Sequence, residues 1–417
     1  MLRVTHEGNA VGSLRPVSRD LEFQYSANWL SRKDAFALSP RLPLREEPWR
    51  GEEVLFFFAN LLPEGPILDT LSRLRRLPRG NVFRLLEAFG LECAGAFEIE
   101  PEQGARPRKP GYRDYTPKQL REDLAAIRNH VPLLQSHGEL RLSLAGAQNK
   151  IPVRWANGKL YLPMDGAPST HILKPALQPQ QEFPDSVINE AFCLRLADAV
   201  GVPVPKVLVL TDPEPMLLIE RYDREIKGEH IRRLHQLDFC QLTGVLPDQK
   251  YEADGGPGIA DLFAQVDAHS VRPAADRLRL VNWLVFNFLT GNADAHAKNL
   301  SMLCGPGGRL TLAPAYDLLA LGYWENLSDK MAMAIGGERR PAWVQARHWQ
   351  RFCEANRLNV TQLRRSALDL CRAALREHAR ILDELAAPGK LSKYVETQLT
   401  RRADWIDRRM IAATGEA

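Results

Sequence analysis

The most informative part of the chain is a long apolar run that ends in a short polar segment. Residues 280–289, with the sequence LVNWLVFNFL, are mostly apolar and are therefore expected to be buried. The polar segment 291–299, with the sequence GNADAHAKN, follows almost at once. Because a buried run carries the residues after it to the edge of the hydrophobic core, this polar segment is a candidate site.

A β-hairpin is predicted directly after the polar segment. Two alternating runs, 300–304 and 309–313, flank a short loop of glycine and proline. A hairpin reverses the chain, so the residues that follow it return to the residues that precede it. The pattern therefore predicts that Asp294, Asn299 and Asp317 converge.

A carboxylate, an amide and a second carboxylate in this order suit phosphoryl transfer. Asp294 can accept the proton of a substrate hydroxyl, whereas Asn299 and Asp317 offer the hard oxygen ligands that Mg²⁺ prefers. The order of these residues is that of the catalytic and metal-binding loops of protein kinases. A turn rich in Asp and Asn that only caps its own backbone is an alternative that this segment alone leaves equally open.

A small-residue segment precedes the β-rich part of the chain. It lies within the stretch Leu142–Val153, in which small residues lead into a strand and Lys150 adds a positive charge. Strands are predicted at 151–155 and 159–163, joined by a turn at Asn157-Gly158. Small residues let backbone N–H groups approach phosphates closely. Because the segment matches neither common glycine-rich nucleotide motif, a plain tight turn is the alternative.

A lysine near the end of the next apolar strand is a second candidate for phosphate binding. Lys174 lies in the strand 171–175, and Glu190 near the start of the amphipathic helix 186–196 is a candidate partner. The alternatives are an exposed strand lysine and an acid favoured by the helix dipole. A further hairpin, formed by 207–210 and 216–224, leads into the mainly helical remainder of the chain.

The first hundred residues predict a small α+β unit. Strands are expected at 11–14 and 21–25, and helices at 52–62 and 81–89. Residues 101–115 are rich in proline, glycine and basic side chains, which is typical of an exposed connector. A helix is expected to begin after it, with Thr116 as N-cap and Pro117 in the first turn.

Composition limits the remaining possibilities. The chain has 417 residues, which predicts two or more domains, and its net charge of +4 is too modest to indicate a nucleic-acid-binding protein by itself. Its six cysteines are scattered without metal-site spacing, so they are expected to be reduced and buried. With no signal peptide at the start and no apolar run of membrane-spanning length, we expect a cytoplasmic protein without a membrane partner.

Taken together, the motifs resemble those of one known family. They are Ser143–Lys150, Thr170–Pro175, Glu220–Arg224, Leu237–Gln241, Lys250–Glu252, Gly255–Ile259, Gly291–Asn299 and Tyr316–Asp317. In this order they resemble the HipA family of bacterial serine/threonine kinases, which are toxins of type II toxin–antitoxin modules. The resemblance extends over nearly the whole chain.

The resemblance implies a fold and three regions. The fold is α+β, a protein-kinase-like two-lobed fold with an extra N-terminal α+β subdomain and a mainly helical C-terminal lobe. The implied regions are an N-terminal subdomain at 1–105, a kinase N-lobe at 106–232 and a helical C-lobe at 233–417.

It also implies roles for individual residues. Asp294 matches the catalytic base, Asn299 and Asp317 match the Mg²⁺ ligands, and Lys174 matches the lysine that binds the ATP phosphates. The other residues of the implied ATP site are the phosphate loop Ala145–Lys150, the adenine hinge Glu220, Arg221 and Tyr222, the catalytic-loop residues His296, Ala297 and Lys298, and Tyr316.

One implied feature concerns regulation. Ser143 matches a serine that family members autophosphorylate, which expels the loop and turns the kinase off. A phosphate beside a phosphate-binding loop would repel ATP, so this regulation is physically sensible.

Two departures from the family pattern are present. Asn149 stands where the family usually has Glu, and His235–Asp238, with the sequence HQLD, replaces a Pro-Gln-Glu-Asp string. Neither change touches the catalytic or metal positions, and the second bears more on substrate or loop contacts.

The resemblance implies a HipB-like helix-turn-helix antitoxin as partner and operator DNA bound through it. It also implies a protein substrate, for which an aminoacyl-tRNA synthetase is one candidate. A small-molecule kinase and a catalytically weak corepressor that only binds the antitoxin stay open as alternatives, since fold likeness does not decide the substrate.

Overall fold

The structure is a computed structural model that describes residues 1–18, 20–91, 93–102, 109–128 and 148–411. The chain divides into two compact units. Unit 1 comprises Met1–Pro175, Leu210–Pro247 and Met302–Leu310, and unit 2 comprises Ala176–Val209, Asp248–Ser301 and Thr311–Ala417.

The strands lie mostly in the first half of the chain. They are β1 (Leu2–His6), β2 (Asn9–Val17), β3 (Asp20–Tyr25), β4 (Trp49–Arg50), β5 (Glu98–Pro101), β6 (Gly111–Asp114), β7 (Ile151–Ala156), β8 (Lys159–Met164), β9 (His171–Pro175), β10 (Val207–Leu210), β11 (Met216–Glu220), β12 (Arg224–Lys227), β13 (His230–Arg233), β14 (Gln236–Asp238), β15 (Ser301–Cys304) and β16 (Leu310–Leu312).

The helices dominate the second half. They are α1 (Ala27–Leu30), α2 (Glu52–Ala59), α3 (Gly65–Arg75), α4 (Val82–Phe89), α5 (Pro117–Arg128), α6 (Ser186–Ala199), α7 (Phe239–Thr243), α8 (Ile259–His269), α9 (Pro273–Thr290), α10 (Ala346–Ala355), α11 (Val360–Glu384) and α12 (Gly389–Ile411). Short 3₁₀ turns lie at Pro247–Gln249, Glu252–Asp254, Ala297–Asn299, Pro306–Gly308, Leu321–Tyr323 and Pro341–Trp343.

The strands form four sheets. Their orders are β4-β3-β2-β1-β5, β10-β11-β9-β7-β8-β6, β12-β13 and β14-β15-β16. The pairings within the first sheet are antiparallel, as are those among β11, β9, β7, β8 and β6. Sheets and helices are both extensive, as an α+β protein requires.

Most predicted elements are present with nearly the expected bounds. The Asn157-Gly158 turn has positive φ at both residues, which suits the tight hairpin between β7 and β8. The Asn81 side chain caps α4 by accepting from the backbone N–H of Arg84 at 3.1 Å. The Thr116 hydroxyl accepts from the backbone N–H of Gln119 at 3.3 Å, in the predicted capping position before α5.

One element prediction is wrong in its end point. The strand expected over 216–224 ends at Glu220, and a separate hairpin of β12 and β13 follows it. The physical reason is a buried ion network at the turn. Asp223 accepts from Arg221 Nη2 at 2.7 Å and lies 3.0 Å from Arg224 Nη1. A continuous strand would place Arg224 on the face opposite Arg221 and Asp223, whereas the turn brings all three side chains together.

This ion network ties the N-terminal residues of unit 1 to its larger sheet. The backbone N–H of Gly95 donates to Asp223 Oδ2 at 3.0 Å, and Arg221 Nη1 donates to the Ser169 hydroxyl at 2.9 Å. Although burial opposes ionisation, the guanidinium groups of Arg221 and Arg224 hold the pKa of the Asp223 carboxyl well below its usual range.

The departure at His235 is accommodated inside unit 1. The His235 ring stacks on Phe36 at a centroid distance of 5.6 Å and lies 4.6 Å from the Phe97 ring. Its Nε2 lies 2.8 Å from the Leu38 carbonyl oxygen, so Nε2 carries the proton. Its Nδ1 is buried and has no hydrogen-bond partner in the part of the chain that the structure describes. The His235 ring is therefore part of the aromatic core of unit 1.

We expect this histidine to make unit 1 sensitive to acid. Burial lowers the pKa of His235 from 6.5 to about 4. Between these values the unfolded chain binds a proton that the folded chain does not, so stability falls as the pH falls through this window and changes no further below it. The expected loss between pH 7 and pH 5 is about 2 kcal/mol.

Urea unfolding of the wild type and of His235→Gln at the two pH values measures this loss. The wild type should lose more stability than the variant, because glutamine keeps a side-chain N–H donor and does not titrate. Equal losses in the two proteins would contradict the assignment.

Candidate active site

The candidate site begins where α9 ends. Gly291 adopts φ +79°, and its N–H donates to the Asn287 carbonyl at 3.0 Å. This left-handed residue is a typical helix C-terminus. A side chain at this position would also collide with Gln398, since a Cβ would lie 2.8 Å from Gln398 Nε2. The apolar face of α9 is buried, as the sequence predicts, and the chain turns sharply into the polar segment.

Asn292 connects the two loops of the site. It is 4% exposed, and its Nδ2 donates to Asn287 Oδ1 at 2.8 Å and to the Asp317 carbonyl at 3.2 Å. Its Oδ1 accepts from the Asp294 N–H at 3.3 Å. One buried amide therefore holds the backbone of Asp294 and the backbone of Asp317 against the end of α9.

The predicted catalytic loop, residues 291–299, closes on itself around Asp294. Asn299 Nδ2 donates to the Asp294 carbonyl at 2.8 Å, and the His296 N–H donates to the same carbonyl at 2.8 Å. Thus the structure brings together Asp294, Asn299 and Asp317, as the hairpin pattern predicts. The Asp294 carboxylate is about half exposed, with its side chain at 49%, so it is accessible to a substrate.

The predicted hairpin is present as β15 and β16. Backbone pairing continues beyond β16, where the Ala313 N–H donates to the Ser301 carbonyl at 2.9 Å. The Tyr316 hydroxyl donates to the Lys298 carbonyl at 2.8 Å and lies 2.7 Å from the Ser301 hydroxyl. These bonds attach the residue before Asp317 to the catalytic loop.

Asp317 has a left-handed backbone, with φ +53°. This conformation is uncommon outside glycine but is tolerated by aspartate. It changes the direction of the chain immediately after Tyr316, and the bond from Asn292 to the Asp317 carbonyl holds it. Strained residues of this kind cluster at functional sites.

The residues present fit a hard cation. No group of three or more His, Cys, Asp or Glu side chains suited to a metal is found among the residues that the structure describes. A kinase-type Mg²⁺ site needs only an amide oxygen and a carboxylate besides the phosphates. Asn299 uses Nδ2 to donate to the Asp294 carbonyl, so the candidate metal ligand is its other terminal atom, Oδ1. Asp317 supplies the carboxylate.

Of the nucleotide residues predicted in unit 1, Lys174 and Glu220 lie in neighbouring strands of one sheet. Lys174 is buried in β9 opposite Leu217 of β11, and Glu220 ends β11 opposite His171. Gln148 Nε2 lies 3.5 Å from the Pro175 carbonyl oxygen. Asn149 and Lys150, both half-buried, immediately precede β7. The lysine is therefore not an exposed strand residue, which was the alternative.

Two hinge residues have structural partners. The Arg221 guanidinium belongs to the buried network with Asp223, and the Tyr222 hydroxyl donates to Gln236 Oε1. Glu190, the expected partner of Lys174, is buried in α6 of unit 2, and its pairing with the lysine stays a prediction. Ser143, Ala145, Gly146 and Ala147 lie outside the described residues.

Sequence reasoning missed two residues of the site. Asn292 was part of the polar segment but received no role, and Tyr251 was only part of a family motif. The Tyr251 hydroxyl donates to Asp294 Oδ1 at 2.7 Å. Asn292 could have been suspected from its position after a helix-ending glycine, but its partner at Asp317 depends on the fold.

Comparison with known proteins decides the family. A model described as the HipA-like C-terminal domain matches residues 142–379, and one described as the HipA N-terminal domain matches residues 2–100. The chain belongs to the HipA family. The predicted membership is thus confirmed, while the exact three-part division at 105 and 232 stays a prediction.

Relatives with known names agree with this assignment. A Sinorhizobium fredii protein named "Putative kinase Y4mE" is 38% identical over 92% of both chains. The Shewanella oneidensis serine/threonine-protein kinase toxin HipA is 33% identical over 77% of this chain and 75% of its own. The predicted enzyme class, a serine/threonine protein kinase, is confirmed.

A solved structure matches this HipA family member over its full length. The HipA chain in the complex of Shewanella oneidensis MR-1 HipA, HipB and operator DNA has a TM-score of 0.86 and 27% identity, covering 99% of both chains. The α+β, protein-kinase-like fold class is confirmed. Among the described residues, no helix combines the length and apolar character needed to cross a lipid bilayer.

We expect Asn292→Ala to weaken both folding and catalysis. The substitution removes three buried hydrogen bonds and leaves the Asp294 N–H and the Asp317 carbonyl without this partner, at a cost of about 2–3 kcal/mol in unfolding free energy. Because the two loops lose their shared anchor, phosphoryl transfer should fall even at temperatures where the protein stays folded.

Urea unfolding and the rate of phosphate transfer from labelled ATP measure the two effects. Asn356→Ala is the control, since that buried asparagine bonds the Phe352 carbonyl in α10 at 2.7 Å. Asn356→Ala should lower stability but retain the rate. A normal rate in Asn292→Ala would contradict the anchoring role.

Proposed function

We propose that this chain is an ATP- and Mg²⁺-dependent serine/threonine protein kinase that acts as the toxin of a bacterial toxin–antitoxin module. The observation that carries the proposal is the meeting of Asp294, Asn299 and Asp317 at the end of α9, held by Asn292. Family membership supports the same activity.

The chemistry assigned to the site is transfer of the γ-phosphoryl group of ATP to a hydroxyl. The hydroxyl oxygen forms a bond to the γ-phosphorus, the bond from that phosphorus to the bridging oxygen breaks, and ADP leaves. Asp294 accepts the hydroxyl proton. Asn299 and Asp317 hold Mg²⁺, which when bound neutralises the charge on the phosphates.

The remaining nucleotide contacts belong to residues of unit 1 and the catalytic loop. Lys174 binds the phosphates, and its burial in β9 supports this role because it excludes an ordinary exposed strand lysine. The other proposed contacts are the loop Ala145–Lys150, the hinge residues Glu220, Arg221 and Tyr222, and the loop residues His296, Ala297, Lys298 and Tyr316.

Regulation at Ser143 is part of the proposal. Phosphorylation adds a charge of roughly −1.5 to −2 beside the proposed phosphate loop, which would compete with ATP. The support for it is the sequence match to the family at Ser143–Lys150.

One alternative differs in the acceptor of the phosphate, and the other transfers no phosphate. A small-molecule kinase would use the same three residues, whereas a corepressor that only binds the antitoxin would not need them. The preserved convergence of Asp294, Asn299 and Asp317 favours an active enzyme, and the kinase-toxin name of a relative favours a protein acceptor.

Labelled ATP distinguishes these functions. Incubated with heat-treated bacterial lysate, the chain should transfer label to protein, with an aminoacyl-tRNA synthetase as one candidate acceptor. Asp294→Asn should lower this transfer roughly 10²- to 10⁴-fold and leave ATP affinity nearly intact, because only the base is lost. Asp317→Ala should weaken Mg-ATP binding as well.

The same samples test the regulatory proposal by mass spectrometry. Phosphate should be found on Ser143 in the wild type and not in Asp294→Asn. Label found only on small molecules would support the alternative kinase, and near-normal transfer by Asp294→Asn would show that the base is misassigned.

We also propose that the chain pairs with a helix-turn-helix antitoxin and reaches operator DNA through it. Support comes from the Shewanella oneidensis complex, in which HipA is present with HipB and operator DNA. A net charge of +4 on this chain is consistent with DNA binding that depends on a partner.

A gel-shift series tests the partnership. Operator DNA should be retarded by the chain together with the antitoxin and not by the chain alone. The chain alone should show at most weak binding that disappears as salt rises. Tight, salt-resistant and sequence-specific binding without the antitoxin would contradict the proposal.

A further inference from the structure

We propose that Tyr251 is a positioning residue that orients the Asp294 carboxylate for proton abstraction. The inference rests on the proposed function, since it assigns Asp294 as the base. It gives a role to the motif Lys250–Glu252, which the phosphoryl-transfer assignment leaves unused.

The contact with the carboxylate is direct. The Tyr251 hydroxyl donates to Asp294 Oδ1 at 2.7 Å, within the range of a strong bond to a charged acceptor. The other oxygen, Oδ2, lies 3.9 Å from His296 Nε2. A carboxylate held at one oxygen presents the other in a constant direction.

The ring that carries the hydroxyl is itself held in place. The His296 ring meets the Tyr251 ring edge to face, with centroids 5.0 Å apart and an interplanar angle of 88°. The Ala297 N–H donates to the Lys250 carbonyl at 3.4 Å. The tyrosine is therefore attached to the catalytic loop through its backbone neighbour, its ring and its hydroxyl.

A second set of bonds supports the same loop from the other side. The Ala334 N–H donates to Glu252 Oε2, and the Ala332 N–H donates to the Ala293 carbonyl at 2.8 Å. Segments 250–252, 293–297 and 332–334 thus form a closed ring of contacts around Asp294. A ring of this kind restricts the backbone of the base, and the Tyr251 hydroxyl restricts its side chain.

The glycines that follow Tyr251 explain how it reaches this position. The Gly256 N–H donates to the Tyr251 carbonyl at 2.9 Å, which closes a tight turn. A Cβ at Gly256 would lie 1.8 Å from the Gln249 carbonyl oxygen, so this position needs glycine. The turn presents the tyrosine side chain to the catalytic loop.

A purely structural hydrogen bond is the competing explanation. Unit 2 contains a matched example, in which the Tyr323 hydroxyl donates to Asp185 Oδ2 at 2.6 Å. That bond joins the turn at Leu321–Tyr323 to the residue before α6 and involves none of the proposed catalytic residues. Tyr323→Phe is therefore the control for the loss of one tyrosine–aspartate bond.

The experiment compares Tyr251→Phe with this control. Phenylalanine keeps the ring contact with His296, so thermal unfolding should change little. With labelled ATP and heat-treated lysate protein, the rate at saturating ATP should fall roughly ten- to hundredfold, as expected for a displaced catalytic group. The ATP concentration at half-maximal rate should stay within about twofold, and Tyr323→Phe should stay within about twofold of the wild type in both values.

Combination with Asp294→Asn separates positioning from a general effect. If Tyr251 acts through the Asp294 carboxylate, adding Tyr251→Phe to Asp294→Asn should lower the residual rate less than about twofold. If that residual rate is below detection, the test rests on the Tyr251→Phe single variant, through its rate at saturating ATP and its ATP concentration at half-maximal rate.

Several results would overturn the inference. They are an unchanged or faster rate in Tyr251→Phe, an equal fractional loss in the wild-type and Asp294→Asn backgrounds, and a loss no larger than that of Tyr323→Phe. An Asp294→Asn protein with near-normal transfer would instead refute the proposed function itself.

Discussion

The site depends on one buried amide. Asn292 donates to the Asp317 carbonyl and accepts from the Asp294 N–H, while its second donor is bound to Asn287 at the end of α9. A buried amide without hydrogen-bond partners lowers the stability of the fold. The arrangement of the loops that satisfies all three bonds is therefore favoured. The backbones of Asp294 and Asp317 are therefore anchored by the same side chain.

Around this amide the structure supports the loops in layers. Tyr316 attaches the segment before Asp317 to Lys298, and Asn299 closes the catalytic loop on the Asp294 carbonyl. A further layer consists of the bond from the Ala334 N–H to Glu252 and the bond from the Ala332 N–H to the Ala293 carbonyl. Catalysis by orientation needs side chains held within a fraction of an ångström, and such layers of hydrogen bonds are the usual means of holding them. Sites of this kind tolerate little change at residues that never touch the substrate.

Unit 1 shows how a local sequence change is absorbed by a core. Where the family pattern has proline, His235 enters an aromatic cluster with Phe36 and Phe97 as a neutral ring. Nearby, Asp223 joins Arg221 and Arg224 in a buried ion network that replaces a continuation of β11. Hydrophobic alternation alone favours a longer strand here, because alternation does not register that Asp223 pairs with both arginines where the chain turns.

The sequence by itself determined most of the elements and the order of the candidate residues. Periodicity, turn residues and the apolar run before Gly291 were sufficient to place the hairpin, and the hairpin was sufficient to bring Asp317 back to Asn299, because each is a local property of the chain. Only the tertiary structure decided which side chains support the site. Tyr251 lies 43 residues before Asp294, and their bond depends on how two distant segments pack. No local pattern encodes such a contact, since its energy exists only after both segments are folded.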